Sequence, residues 1–160
     1  MVGGLMPDVL VILGSKSDAV VGEKAVELLR RFGVTAEMTV ASAHRTPDRV
    51  KSIVLGSEAK IFVAVAGLSA ALPGAIASIT TRPVIGVPVS GKVNIDSILS
   101  IVQMPPGTPV AAVGLDMGDN AALLALEMLA IGDERIRGEL VKYRKEIADK
   151  VERDSEEVRQ

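Results

Sequence analysis

The chain has 160 residues, a net charge of −2, no cysteine and a single histidine. These counts exclude disulfides, thiolate chemistry, a sulfur-ligated zinc site and a histidine-rich metal site, so no metal is expected. The slightly acidic charge argues against a nucleic-acid partner. The length predicts one domain spanning residues 1–160. Because the first apolar run is interrupted at Gly14 and Ser15, it predicts neither a signal peptide nor a membrane span, and we expect a cytoplasmic protein with no membrane partner.

Apolar runs that suit buried strands alternate with segments of helical periodicity along the chain. Hydrophobic residues make up 48 % of the chain but only three residues are aromatic, so the core must be aliphatic. In chain order the predicted elements are a strand at 9–13, a helix at 19–32, a strand at 34–41, a helix at 47–55, a strand at 60–66, a helix at 75–79, a strand at 83–87, a helix at 94–103, a strand at 110–113, a helix at 120–131 and a helix from about 133 to 152.

Five strand–helix units in succession predict an α/β fold. The expected architecture is a single-domain, flavodoxin-like, doubly wound parallel sheet of five strands in the order 2-1-3-4-5, with its core at about 8–131. The helix at about 133–152 is an extra C-terminal element, and the charged residues after it, 154–160, are expected to fray.

Every notable loop of the predicted fold follows a strand. In doubly wound sheets the ligand binds outside the carboxyl ends of the strands. The loops at 14–18, 42–46, 67–74 and 87–92 should therefore meet at one edge of the sheet. This edge is the predicted ligand site.

The only histidine lies in the stretch from Ser42 to Pro47. An imidazole changes charge near neutral pH, and the neighbouring Arg45 offers a planar fork of donors that suits a phosphate. Together with Ser42, these residues predict a site that binds a phosphorylated small molecule and moves a proton on it. The alternative is that His44 only satisfies backbone groups where a helix begins.

The segment from Gly14 to Asp18 lies between a strand and a helix, where N–H groups and the helix dipole favour an anion. It matches neither the dinucleotide fingerprint nor the P-loop. Ser15 and Ser17 supply hydroxyls, and Asp18 could hold ribose hydroxyls. The alternative is a plain cap, in which Ser17 or Asp18 begins the next helix.

Three further features have two readings each. The loop from Gly67 to Gly74 contains no ionisable group, so it either lets the backbone approach a flat ligand or forms a simple turn. Asp116 and Asp119 either bind a cation or, as we prefer, cap the next helix. The last predicted helix carries an apolar stripe that packs on its own domain or, as we prefer, on a neighbouring subunit. This stripe contains Ile136, Leu140, Tyr143, Ile147 and Val151.

Six motifs in this order resemble those of the 5-(carboxyamino)imidazole ribonucleotide mutase family of purine biosynthesis, over nearly the whole chain from about residue 9 to 144. The motifs are Gly14-Ser15-Lys16-Ser17-Asp18, Ser42-Ala43-His44-Arg45-Thr46-Pro47, Leu72-Pro73-Gly74, Gly86-Val87-Pro88-Val89, Val102-Gln103-Met104-Pro105 and Asn120-Ala121-Ala122.

The resemblance implies a homo-octamer of flavodoxin-like subunits with sites at subunit contacts and no cofactor. Its implied partners are a small-molecule ribonucleotide and carbon dioxide, and its implied proton carrier is His44. By motif position, the ribose and phosphate would be bound by Ser15, Ser17, Asp18, Ser42 and Arg45. The other predicted substrate contacts are Ala43, Gly67, Ser69, Ala70 and Leu72.

One position departs from the family pattern. The bacterial mutases usually carry a second histidine directly before Leu-Pro-Gly, and here that residue is Ala71. A direct carboxylase, which would add carbon dioxide to aminoimidazole ribonucleotide, therefore stays an alternative to the mutase. A further alternative is a non-catalytic nucleotide- or flavin-binding module, although the scarcity of aromatic residues argues against a flavin.

Overall fold

The computed structural model describes residues 7–159, which form two compact units that divide between Ala125 and Leu126. The first unit contains a five-stranded sheet. All neighbouring strands are parallel, and their order is β2-β1-β3-β4-β5, which confirms the predicted doubly wound topology. The strands are β1 (Val9–Leu13), β2 (Ala36–Val40), β3 (Ile61–Ala66), β4 (Val84–Pro88) and β5 (Ala111–Ala112).

The central strands are buried over their whole length, as their unbroken apolar runs predict. Every residue of β1, β3 and β4 is buried. Leu13, the last residue of β1, pairs with Val40 of β2 and Val65 of β3. Because this register aligns the carboxyl ends of the strands, the loops that follow them begin at one edge.

The described chain contains six α-helices, and none of them has the length and apolar character that a membrane crossing requires. One side of the sheet carries a core to which α2, α3 and α4 contribute; on the other side, Leu13 and Met38 contact α1 near Gly22. The helices are α1 (Ala19–Arg31), α2 (Pro47–Gly56), α3 (Leu72–Ala77), α4 (Asn94–Val102), α5 (Gly118–Leu129) and α6 (Glu134–Val158).

Most predicted boundaries lie within two residues of the observed ones, and two predictions are wrong by more. Helix α3 begins at Leu72 instead of residue 75, because Pro73 fits the first turn, where its missing N–H has no helical partner. Helix α6 continues to Val158, beyond the predicted end at about residue 152, and the predicted fraying of 154–160 stays a prediction; residue 160 lies outside the described chain. The glutamates, lysines and arginines of this segment are good helix formers.

The second unit consists of the end of α5 and the long helix α6. Asp133 precedes α6, and its carboxylate accepts the N–H groups of Arg135 and Ile136, at 2.9 and 3.2 Å. Within this unit Arg144 of α6 forms an ion pair with Glu127 of α5 at 2.7 Å. A capped start and an ion pair to the preceding helix therefore fix the first half of α6.

Arg82, which lies between α3 and β4, connects the C-terminal end of α2 to strand β3 of the sheet. Its guanidinium stacks over the Phe62 ring of β3, 4.6 Å from the ring centroid. The same group donates to three backbone oxygens at the end of α2 and just beyond it, at 2.7 to 2.8 Å: Val54 O, Ser57 O and Ala59 O. One side chain thus satisfies carbonyls that have no partner inside the helix.

Gly86 in β4 lets two helices pack directly on the strand backbone. A Cβ atom at this position would lie 2.5 Å from Ile101 Cγ2 of α4 and 3.1 Å from Pro73 Cγ of α3. Real Cβ atoms do not approach other atoms as closely as the first of these distances. The small strand residue therefore permits the close approach of α3, whose first residue, Leu72, reaches the carboxyl edge of the sheet.

Candidate active site

A cavity of about 510 Å³ opens at the carboxyl edge of the sheet in the first unit. It is formed by the loops after β1, β2, β3 and β4, as the predicted topology requires. All of the residues predicted to bind or act on a ligand line this one cavity: Ser15, Ser17, Asp18, Ser42, Ala43, His44, Arg45, Gly67, Ser69, Ala70 and Leu72. The structure brings these residues together, and their individual roles stay predictions.

The loop after β1 forms a short 3₁₀ turn closed by reciprocal hydrogen bonds. Ser15 N–H donates to Asp18 Oδ2 at 3.0 Å, and Ser17 N–H donates to Ser15 Oγ at 3.4 Å. Ser17 Oγ also donates to Asp18 Oδ1, at 3.1 Å. Asp18 thus reaches back to the turn and makes no side-chain bond to the N–H groups of α1. The alternative in which its carboxylate caps α1 is therefore wrong.

Asp18 is a buried carboxylate at the wall of the cavity, with 7 % of its surface exposed. Burial raises the pKa of this carboxyl, and the bonds from Ser17 and Ser15 together with the positive charge of Arg45 oppose the rise. A carboxylate perturbed by burial in a cleft is a candidate functional group.

The turn that carries His44 is closed by Thr46. Thr46 Oγ1 accepts the Ser42 N–H at 2.9 Å and donates to Ser42 O at 3.1 Å, and Thr46 N–H donates to the same carbonyl at 2.9 Å. Helix α2 begins at the next residue, Pro47. The turn therefore holds His44 at the rim of the cavity, where it is exposed.

Arg45 joins the first two loops of the site. Its Nη2 donates to Gly14 O at 3.1 Å, and its Nε donates to Ser42 Oγ at 3.3 Å. Ser42 Oγ also accepts the Arg45 N–H at 3.2 Å. The guanidinium thus fixes the distance between the loops after β1 and β2 while placing a positive charge beside the cavity.

Two residues of the loop after β3 have a positive φ although neither is a glycine. Leu68 and Ala70 adopt φ values of 53° and 23°, and the Ala70 N–H donates to Gly67 O at 3.0 Å. Non-glycine residues rarely adopt positive φ, and such residues cluster at active sites and ligand clamps. This backbone favours the reading in which the loop serves a ligand over that of a simple turn.

Sequence reasoning placed the loop after β4 at this edge but did not identify the residues of that loop that line the cavity, which are Val89, Ser90 and Gly91. It also misread Asp116, whose carboxylate accepts the Ser90 N–H at 2.8 Å instead of capping a helix. The alternative of a cation at Asp116 and Asp119 gains no support, since no group of three or more histidine, cysteine or acidic residues within 7–159 is arranged to hold a metal. The position of this loop after a strand placed it at the ligand edge, and the sequence holds no further signal for its individual lining residues.

The comparisons with known proteins agree on one family. The model of the family described as AIR carboxylase matches residues 8–150. A protein of Methanocaldococcus jannaschii named N5-carboxyaminoimidazole ribonucleotide mutase is 54 % identical over 153 residues, which cover 95 % of this chain and 98 % of that protein. A protein of the same name from Pyrococcus abyssi is 49 % identical over 147 residues, which cover 89 % of this chain and 84 % of that protein.

The crystal structure of Treponema denticola PurE agrees with this match at the level of the fold. It superposes with a TM-score of 0.86 and 28 % identity, covering 95 % of this chain and 98 % of that one. The resemblance inferred from the six motifs is therefore confirmed. Because the family model spans most of the sequence and two relatives are 54 % and 49 % identical over most of their lengths, the chain belongs to the AIR carboxylase family.

Proposed function

We propose that this protein is an N5-carboxyaminoimidazole ribonucleotide mutase of purine biosynthesis. It would move a carboxylate from the exocyclic amine of the ribonucleotide to ring carbon 4. The observation that carries the proposal is that His44, Arg45 and the Ser15–Asp18 turn line one cavity in a chain whose similar relatives bear this name. The volume of about 510 Å³ is also within the usual range for small-molecule sites.

In this proposal the polar loops bind the ribose phosphate. Arg45 supplies positive charge and Ser42 a hydroxyl for the phosphate, a pairing suited to charge-assisted hydrogen bonds. Ser15 and Ser17 add hydroxyls, and Asp18 accepts hydrogen bonds from the ribose. These interactions would orient the imidazole ring of the substrate toward His44.

The chemistry requires one proton carrier. His44 protonates the carbamate nitrogen of the substrate, the nitrogen–carbon bond breaks, and carbon dioxide leaves. The electron-rich ring carbon then attacks the carbon dioxide and forms the new carbon–carbon bond. Loss of the ring proton to His44 restores aromaticity and returns the imidazole to its starting state. A single imidazole can serve as both acid and base in this sequence of steps.

Carbon dioxide must stay in the cavity between these steps. The loop from Gly67 to Leu72 gives the cavity an apolar wall that includes Ala70 and Ala71. Confinement raises the effective concentration of the trapped molecule at the ring carbon. Ala71, where a second histidine is usual in bacterial mutases, leaves direct carboxylation with free carbon dioxide as the second candidate function.

A paired-substrate assay tests this proposal. Purified protein is given either the carbamate ribonucleotide or aminoimidazole ribonucleotide with bicarbonate, and formation of the carbon-4 carboxylate is measured. We expect fast conversion of the carbamate and much slower conversion of the second mixture. Equal rates would contradict the mutase and favour the carboxylase, and no turnover of either substrate would favour a binding module.

We further propose that the protein works as a homo-octamer in the cytoplasm. The number eight follows from the family resemblance, and contact between subunits is supported by the apolar stripe of α6, in which Ile136 and Leu140 are buried whereas Ile147 and Val151 are 47 % and 59 % exposed. Exposed apolar side chains in a row are typical of a surface that a partner covers. Light scattering coupled to size exclusion should give eight times the chain mass, and a monomeric mass would contradict the proposal.

A further inference from the structure

The strand β4 leads directly into a wall of the cavity. Val89, Ser90 and Gly91 follow its last residue, Pro88, and all three line the cavity. The Val89 N–H donates to Ala66 O at 3.0 Å, which continues the pairing with β3. Ser90 and Gly91 lie beyond this pairing, so other groups must hold them in place.

Asp116 holds this wall from the loop between β5 and α5. Its Oδ1 accepts the N–H of Ser90 at 2.8 Å, across 26 residues of sequence, and its own N–H donates to Pro88 O at 2.8 Å. A single residue therefore brackets the backbone from Pro88 to Ser90 with two short hydrogen bonds.

The backbone of Asp116 adopts a φ of 59°, in the left-handed region. Few residues other than glycine occupy this region, and aspartate and asparagine tolerate it best. Such conformations persist only where the surroundings over-determine them. The two bonds to Pro88 and Ser90 supply this determination. The bond to Pro88 O comes from the backbone N–H, which glycine also has, whereas the bond from Ser90 N–H requires a side-chain acceptor that glycine lacks.

A displacement of the wall would spread to the neighbouring loop. A Cβ atom at Gly67 would lie 3.4 Å from Val89 O, so the loop after β3 packs directly against Val89. The same loop carries Ala70 and Leu72, which also line the cavity. The position of the Val89–Gly91 wall thus influences two sides of the ligand site.

We propose that Asp116 is a positioning residue, which sets the place of the Val89–Gly91 wall and through it the affinity for the ribonucleotide. Asp116 does not itself line the cavity. The inference rests on the proposed function for the identity of the ligand. We expect Asp116 to affect substrate binding more than the chemical step, because the proposed proton carrier, His44, belongs to a different loop.

The test compares Asp116→Gly with Asp116→Asn in the full-length protein. Glycine keeps the left-handed backbone and removes the acceptor, whereas asparagine keeps both. We expect Asp116→Gly to raise KM about tenfold with kcat within about threefold of the original, and to speed amide hydrogen exchange at Ser90 about tenfold or more, the usual effect of losing one hydrogen bond. Asp116→Asn should behave like the original protein in both measurements.

Asp119→Ala is the matched control, since the Asp119 carboxylate accepts the N–H of its neighbour Asn120 and not that of a cavity residue. It should change neither KM nor Ser90 exchange. The proposal is overturned if Asp116→Gly leaves Ser90 exchange unchanged, or if exchange rises while KM stays the same. If the unsubstituted protein turned over neither ribonucleotide, the proposed function would be refuted. In that case the rate of amide exchange at Ser90 would by itself decide whether Asp116 holds the wall.

Discussion

Replacing His44 with asparagine is expected to lower kcat by about a hundredfold or more while ligand binding survives. Positioned acid–base groups contribute rate factors of this size. Asparagine retains a polar planar group of similar reach but exchanges no proton near neutral pH. The turn that holds position 44 is closed by Thr46 and Ser42, so its shape should not depend on the imidazole. Steady-state kinetics and calorimetry with the carboxylated product measure the two effects separately.

Asp48→Asn is a suitable control, since Asp48 is an exposed residue of the first turn of α2 that does not line the cavity. It should leave kcat and binding close to those of the original protein. If His44→Asn retained more than a tenth of the original kcat, His44 would not be the proton carrier. If it abolished binding as well, His44 would be a ligand contact more than an acid–base group.

Replacing Arg82 with methionine should lower the free energy of unfolding by about 3 kcal/mol. The change removes a charged donor from three carbonyls at the end of α2, and hydrogen bonds to charged groups contribute about 1.5–3 kcal/mol each without adding fully. Arg82→Lys should recover only part of this loss, because a point-like ammonium cannot replace a planar fork that also stacks on Phe62. Urea unfolding followed by circular dichroism measures all of these variants.

Arg30→Met supplies the comparison for this experiment. Within the described residues Arg30 donates to one backbone oxygen, Ala36 O at 3.1 Å, so its loss should cost about 1.5 kcal/mol, the lower end of the range for a charged donor. If Arg82→Met cost no more than Arg30→Met, the guanidinium would not stabilise the end of α2 as its contacts indicate.

The sheet and the place of the site were predictable because both follow from local sequence patterns. The apolar run of β1 lacks alternation, which is typical of a strand buried on both faces, and the parallel order then determines which edge gathers the loops. The polar stretch around His44 follows such a strand, so its position beside Ser15 and Asp18 required no tertiary information.

The contacts that sequence reasoning missed are made to backbone groups far away along the chain. Arg82 bonds to carbonyls 23 to 28 residues earlier, and Asp116 bonds to an N–H 26 residues earlier. Periodicity and capping rules describe neighbours within one element, so they cannot indicate such partners. Charge alone also misled at the C-terminus, where a run of acidic and basic residues forms the last turns of α6.

The lack of a side chain at Gly86 limits how the shape of the cavity can change between related sequences. A larger side chain there would collide first with Ile101 of α4 and would also press on Pro73 in the first turn of α3, next to Leu72, which lines the cavity. A methyl group added to the middle of this buried strand would therefore act on the packing beneath one wall of the cavity. The dimensions of this cavity therefore depend partly on Gly86, a residue that does not line it.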